Sequence, residues 1–141
     1  MQHHELLHGL HQLSRHLTNN LNEALKAHGL FSAQWSVIYA LTLKGPKTQK
    51  DLCLYLGIEA PPMSRNLQRM EKQGWIIRKP GKDKRERYIH LTEAAINKYP
   101  EWEAAVSTIN HQLVNGLSET EQEQMKDLLW IWLNSIQREK R

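Results

Sequence analysis

Residues 48–92 read TQKDLCLYLGIEAPPMSRNLQRMEKQGWIIRKPGKDKRERYIHLT. The stretch opens on a short helix: Thr48 with Asp51 resembles a capping box, Leu52, Cys53 and Leu56 share an apolar side, and Gly57 breaks the pattern. Pro61 and Pro62 suit only the first turn of a following helix, where a missing N–H costs nothing. That helix runs to Gln73, with Gly74 just past its end. Its spacing turns Leu67 and Met70 inward and sets Ser64, Arg65, Gln68 and Arg69 on the other side. Trp75-Ile76-Ile77 begins a strand and Tyr88-Ile89-His90-Leu91 returns, with turn chemistry at Pro80-Gly81-Lys82-Asp83 between them. A polar, basic helix propped on a partner helix, beside a two-stranded cationic hairpin, is a standard arrangement for reading duplex DNA.

The charge distribution agrees. Residues 44–88 hold 12 Lys/Arg against 5 Asp/Glu, a balance of +7, and the rest of the chain holds 7 against 10, a balance of −3. A basic patch segregated in this way is the electrostatic footprint of a polyanion partner. At 141 residues, with 40% apolar and 24% charged residues, the chain suits one globular domain with a real core. No apolar run approaches the roughly 20 residues needed to span a bilayer, and the N-terminus lacks the apolar stretch of a signal peptide. With Cys53 as the single cysteine, no intrachain disulfide can form, which fits a reducing cytoplasm.

Outside the central stretch the pattern is helical. Leu6, Leu10, Leu13, Leu17 and Leu21 form one stripe over residues 3–28, and Gly29 supplies the stop. Ser32 is placed to cap a second helix through Trp35, Val37, Ile38 and Leu41 that ends at Gly45-Pro46. Helix resumes after Thr92, with a bend expected at Pro100, and Ser118 with Glu121 forms a capping box before a last helix. In that helix Met125, Leu128, Leu129, Trp132, Leu133 and Ile136 make one face while Trp130 and Ile131 point elsewhere. An isolated surface helix would not leave both in water, so burial is expected, against a second subunit in preference to another helix of the same chain.

Taken together, the chain resembles a MarR-family winged helix-turn-helix regulator from end to end. The residues that carry the likeness are Leu30-Phe31-Ser32-Ala33-Gln34-Trp35-Ser36-Val37-Ile38, then Arg69-Met70-Glu71-Lys72-Gln73-Gly74-Trp75-Ile76, and most specifically Asp83-Lys84-Arg85-Glu86-Arg87-Tyr88-Ile89-His90-Leu91-Thr92, which fits the family's D-x-R…L-T wing. The resemblance implies a mainly α fold with a small β-hairpin wing, residues 30–92 forming the winged helix-turn-helix part and residues 1–29 and 93–141 the dimerisation helices of one domain. It implies a homodimer on a pseudo-palindromic operator, acting as a repressor that a small-molecule effector releases, with no cofactor and no membrane partner.

Individual residues can then be weighed. Ser64, Arg65, Gln68 and Arg69 are recognition-helix candidates, since Arg pairs with guanine O6/N7 and Gln with adenine N6/N7; the alternative is a solvated face making phosphate contacts only. The family likeness sends Arg85 into the minor groove, with Lys82, Lys84 and Arg87 on phosphates and Asp83 orienting the wing. Lys47, Thr48 and Gln49 open a helix where a phosphate oxygen could sit, though simple capping explains Thr48 equally well. Arg15, Trp35 and Tyr39 are conceivable effector-pocket liners, an aromatic box with one cation; the competing reading puts Trp35 and Tyr39 in the core. Cys53, on an apolar side with no second cysteine, is expected to be an inert buried thiol.

His4-Glu5-Leu6-Leu7-His8 spells H-E-x-x-H, with His11 one turn on, and the three imidazoles share a helix face as metal ligation requires. Leu6 and Leu7 are accounted for by the helix's packing, and no downstream motif completes a catalytic site, so an enzyme is not expected. A metal-responsive regulator using His4, His8 and His11 is the alternative reading; a solvated His-rich face is the plain one. No P-loop, dinucleotide fingerprint or nucleophile elbow occurs.

Overall fold

The leucine stripe becomes helix α1 (Gln2–Leu25), followed by a single 3-10 turn (Lys26–His28) that Gly29 ends in the left-handed region at φ 70°. This is a computed structural model, and it describes residues 2–83 and 85–139, without the side chains of 138 and 139. Helix α2 (Ser32–Lys44) comes next, then strand β1 (Lys47–Thr48), helices α3 (Gln49–Leu56) and α4 (Ala60–Gln73), strands β2 (Ile76–Pro80) and β3 (Arg87–Leu91), and helices α5 (Glu93–Leu113) and α6 (Glu119–Glu139). By its internal contacts the chain divides into two compact units, Met1–Val106 and Ser107–Arg141, the boundary falling within α5.

Two local expectations change. Ser32 does not cap α2; Phe31 holds the cap position and donates its N–H to the Gln34 side chain at 3.2 Å. Ser32 instead gives its N–H to Asn22 Oδ1 of α1 at 2.6 Å, so an acceptor ten residues away does the work of a local cap and ties the two helices together. The expected hairpin forms from β2 and β3, and a strand that was not expected joins it. Lys47 and Thr48 pair with Ile89 and Tyr88, which makes a three-stranded antiparallel sheet in the order β1-β3-β2.

The wing's turn also lies further along than Pro80–Asp83. Pro80 still belongs to the ladder, opposite Arg87, at the end of an edge strand where its missing N–H does no harm. The turn is closed by Glu86 N–H to the Asp83 carbonyl at 3.0 Å and by Gly81 N–H to the Glu86 carbonyl at 2.9 Å. A Cβ at Gly81 would run into the ring of Tyr88, so any other residue there would have to push that ring aside.

The core lies in the first unit. Leu25, Leu30, Val37, Ile38, Leu52, Met63, Leu67, Met70, Ile89 and Trp102 are fully buried, and α4 contributes Met63 alongside the expected Leu67 and Met70. Trp75 meets Trp102 edge-on, with ring centroids 4.9 Å apart. Gln34, the buried polar side chain of this core, is satisfied by donating to Gln73 Oε1 at 2.8 Å, which links the start of α2 to the end of α4. Thr92 fastens the wing to α5. Its hydroxyl donates to the Gly74 carbonyl at 2.6 Å and accepts the Ala95 N–H at 3.2 Å, capping that helix. Helix α5 then runs unbroken past Pro100.

In the second unit the expected capping box forms: Ser118 N–H donates to Glu121 Oε1 at 2.9 Å and Glu121 N–H to Ser118 Oγ at 3.1 Å. Ser118→Ala is expected to cost about 1 kcal/mol, seen as a lower urea midpoint at unchanged slope. An unmoved midpoint would mean that other contacts alone hold the start of α6.

Candidate nucleic-acid interface

Helix α4 presents its polar side as the spacing demands. Arg65, Gln68 and Arg69 are exposed, whereas Met63, Leu67 and Met70, interleaved at helical spacing, are buried. Asn66 anchors the helix to α2 by donating to the Ala33 carbonyl at 3.1 Å. The Arg69 guanidinium lies 6.0 Å from the Phe31 ring centroid. Phe31, Ala33, Pro62, Arg65, Asn66 and Arg69 line a shallow cavity of about 310 Å³ beside the helix.

The wing carries exposed Lys82, Arg85 and Arg87. Asp83 Oδ1 accepts the backbone N–H of Arg85 at 3.1 Å, which shapes the turn that presents the Arg85 side chain. Lys84 lies outside the described residues. Tyr88 donates its hydroxyl to Glu86 at 3.0 Å on the return strand.

Thr48, Gln49 and Ser64 have partners within the protein. Thr48 Oγ1 caps α3 by accepting the Asp51 N–H at 3.1 Å, while the Thr48 backbone belongs to the sheet. The Gln49 amide donates to Ser64 Oγ at 2.6 Å and accepts from Arg78 at 3.4 Å. Arg78 in turn pairs with Glu71 at 3.0 Å.

Sequence reasoning missed Arg78 and Glu71, though a signal was there. Strand alternation puts Arg78 on the face of buried Ile76, opposite buried Ile89 in the ladder. On that half-covered face the guanidinium has a carboxylate within reach, the partly exposed Glu71.

The remaining candidates scatter. Arg15 is exposed on α1, Tyr39 is 45% exposed, and Trp35 is buried, stacked on Tyr99 with centroids 5.6 Å apart. A cavity of about 360 Å³ instead lies among Leu41 and Thr42 of α2, Pro46, His90 and Leu91 of β3, and Ile96, Tyr99 and Pro100 of α5. His4, His8 and His11 are exposed on α1, and among the described residues no group of three or more His, Cys, Asp or Glu is placed to hold a metal. Cys53 is half-buried against the core; burial pushes its thiol above the ordinary value, and the Glu59 carboxylate adds to this. A thiol held protonated is a poor oxidant sensor. Among the described residues no helix is long and apolar enough to cross a membrane.

Known proteins give this geometry a context. Residues 28–86 match the model of the MarR family. YwoH of Bacillus subtilis, an uncharacterized HTH-type transcriptional regulator, is 37% identical over 128 residues, which cover 91% of this chain and 93% of that protein. A mutant of Escherichia coli MarR, in a crystal structure complexed with operator DNA, is similar with a TM-score of 0.83 at 24% identity, over 92% of this chain and 94% of that one. A MarR transcriptional regulator from Methanosarcina mazei has a TM-score of 0.81 at 19% identity, over 92% and 88%. At such identities the two structures speak for the fold, whereas the likeness to YwoH extends to the sequence across nearly its whole length. The helix pair, the three-stranded wing and the end-to-end similarity to YwoH make this chain a member of the MarR family of transcriptional regulators.

Proposed function

We propose that the protein is a cytoplasmic repressor that binds double-stranded DNA as a homodimer, with residues 30–92 reading the duplex and the helices before and after them forming the dimer. The observation that carries this reading is the row of exposed Arg65, Gln68 and Arg69 on α4, together with a wing whose exposed side chains include Lys82, Arg85 and Arg87. Exposed guanidinium and amide groups are the groups that pair with purine edges in a major groove. A basic hairpin tip suits the negative potential of a narrow minor groove. The E. coli MarR structure, with its operator DNA, supports the same use of the shared fold. A two-fold dimer would impose a pseudo-palindrome on the operator, with half-sites about one helical turn apart.

The effector fits the cavity between α2, β3 and α5 better than the box expected around Arg15. Its walls are apolar apart from the Thr42 hydroxyl, the His90 imidazole and the Tyr99 hydroxyl, and its lining holds no Lys or Arg. Burial, chiefly, raises the Tyr99 pKa, so that group stays a neutral hydrogen-bonding partner. Such a site takes a small, uncharged, largely apolar or aromatic molecule more readily than a carboxylate. Release would then be a population shift, the ligand favouring a spacing of the two recognition helices that does not fit DNA.

The test is fluorescence anisotropy on the DNA upstream of the protein's own gene, with excess random competitor at near-physiological salt. Saturation at one dimer per pseudo-palindrome is the expected result. Equal competition by random DNA would remove the claim of specific recognition at that site.

A further inference from the structure

The Gln49–Ser64 and Arg78–Glu71 contacts join elements that lie apart in sequence. Gln49 opens α3, Ser64 and Glu71 lie on α4, and Arg78 lies on β2. The Gln49 side chain donates to Ser64 Oγ at 2.6 Å and accepts from Arg78 at 3.4 Å, and Arg78 Nε donates to Glu71 Oε1 at 3.0 Å. The bridge therefore leaves α4 near its start, crosses α3 and β2, and returns to α4 further along. Both ends of the Gln49 amide are in use, one toward a hydroxyl and the other toward a cation, so its orientation is defined by its partners.

The apolar contacts beneath these elements are made by Met63, Leu67, Met70 and Ile76, and the Asn66–Ala33 and Gln34–Gln73 bonds tie α4 to α2, but neither of those two bonds reaches the wing. Hydrogen bonds are directional. Those of the bridge span the helix that carries Arg65 and the strand that leads to the Arg85 turn.

We infer that Gln49 and Arg78 are positioning residues: through Ser64 and Glu71 they set the angle between α4 and the wing, so that Arg65 and Arg85 address one duplex together. Gln49 acts through this bridge and does not read bases. The inference rests on the DNA-binding reading above for its purpose, but the bridge itself is measurable without DNA.

The first arm is amide hydrogen exchange in the free protein. In Gln49→Leu and Arg78→Gln, exchange is expected to rise about tenfold, the scale of one lost charge-assisted hydrogen bond. The rise should occur together in the first turns of α4 and in the β2–β3 ladder, with α1 unaffected. Gln49→Glu, whose carboxylate can accept from both Arg78 and the Ser64 hydroxyl, should restore protection. Exchange that is unchanged, or raised only beside the substituted residue, overturns the inference.

The second arm uses DNA. Discrimination against a site altered beneath Arg65 should fall about tenfold in the same variants, and in Arg78→Lys, which keeps the charge but loses the guanidinium fork. The salt slope should stay as in the wild type. A slope smaller by about one per half-site, with discrimination intact, would make Arg78 a phosphate contact and overturn the positioning role. Were the wild type itself indifferent to sequence, the DNA-binding reading would fall, while the exchange arm would still decide the bridge.

Discussion

Glutamate at both Leu128 and Ile131 is expected to leave the protein monomeric and to weaken operator binding by about 10²–10⁴-fold, the factor lost when two linked half-site contacts become one. These side chains are 65% and 67% exposed in the single chain, and Met125, Leu129, Trp130 and Ile136 on the same helix are also exposed. Leu128–Leu133 is six apolar residues in succession, so that stretch of the helix is apolar on every side, the kind of exposed surface that a second subunit covers. Leu6, Leu7, Leu13 and Leu17 leave a similar exposed stripe on α1. Each buried aliphatic side chain is worth about 1.5–3 kcal/mol, and a two-fold interface contains every position twice. The two positions together then carry roughly 6–12 kcal/mol, against the roughly 8 kcal/mol that holds a micromolar dimer. Sedimentation velocity of the variant should give a monomer with unchanged helical circular dichroism. A variant that stayed dimeric would place the interface elsewhere and leave this helix face without an account.

Where the fold could be read from the sequence, the reason is local chemistry. Ser118 and Glu121 cap each other within one turn, and the bond pair that the spacing allows is the one that forms. Gly57 and Gly74 stop their helices at φ 68° and 84°, as glycine does because left-handed backbone costs it nothing. What escaped reading depends on partners distant in sequence. Strand β1 has two residues, too few to show a period of two, and exists because β3 offers Ile89 and Tyr88 as an open edge. The cap on Ser32 was misread because its acceptor, Asn22, belongs to another helix. The candidate site divides the same way. Helical spacing was enough to bring Arg65, Gln68 and Arg69 to the surface, but Gln49 and Ser64 were read only as DNA contacts. Their own bond spans 15 residues, and Arg78 reaches Gln49 across 29.

That division makes Arg65 the most informative recognition candidate to replace. Among the described residues its guanidinium has no ion pair or hydrogen bond, whereas Gln49 and Ser64 are bonded to each other. It is exposed on α4, so Arg65→Ala should leave the unfolding midpoint within about 0.5 kcal/mol of the wild type. Its cost on DNA should be larger. A bidentate Arg–guanine pair discriminates by about 1–3 kcal/mol, and a dimer makes it twice, so roughly 2–6 kcal/mol of preference for the operator is at stake. Even the lower end is about 30-fold. Arg65→Lys should recover little of this, because an ammonium cannot reproduce the planar fork, and the shortfall between Lys and Arg measures how much of the effect is geometry and not charge. Anisotropy titrations of wild type, Arg65→Ala and Arg65→Lys on the operator and on single-base variants of it would resolve the point. If base reading is right, Arg65→Ala binds all of the variants at one position equally while preferences elsewhere persist. If instead every site weakens by the same factor and the salt slope shrinks by about one per half-site, Arg65 contacts phosphate. The reading of sequence would then fall to Gln68 and Arg69.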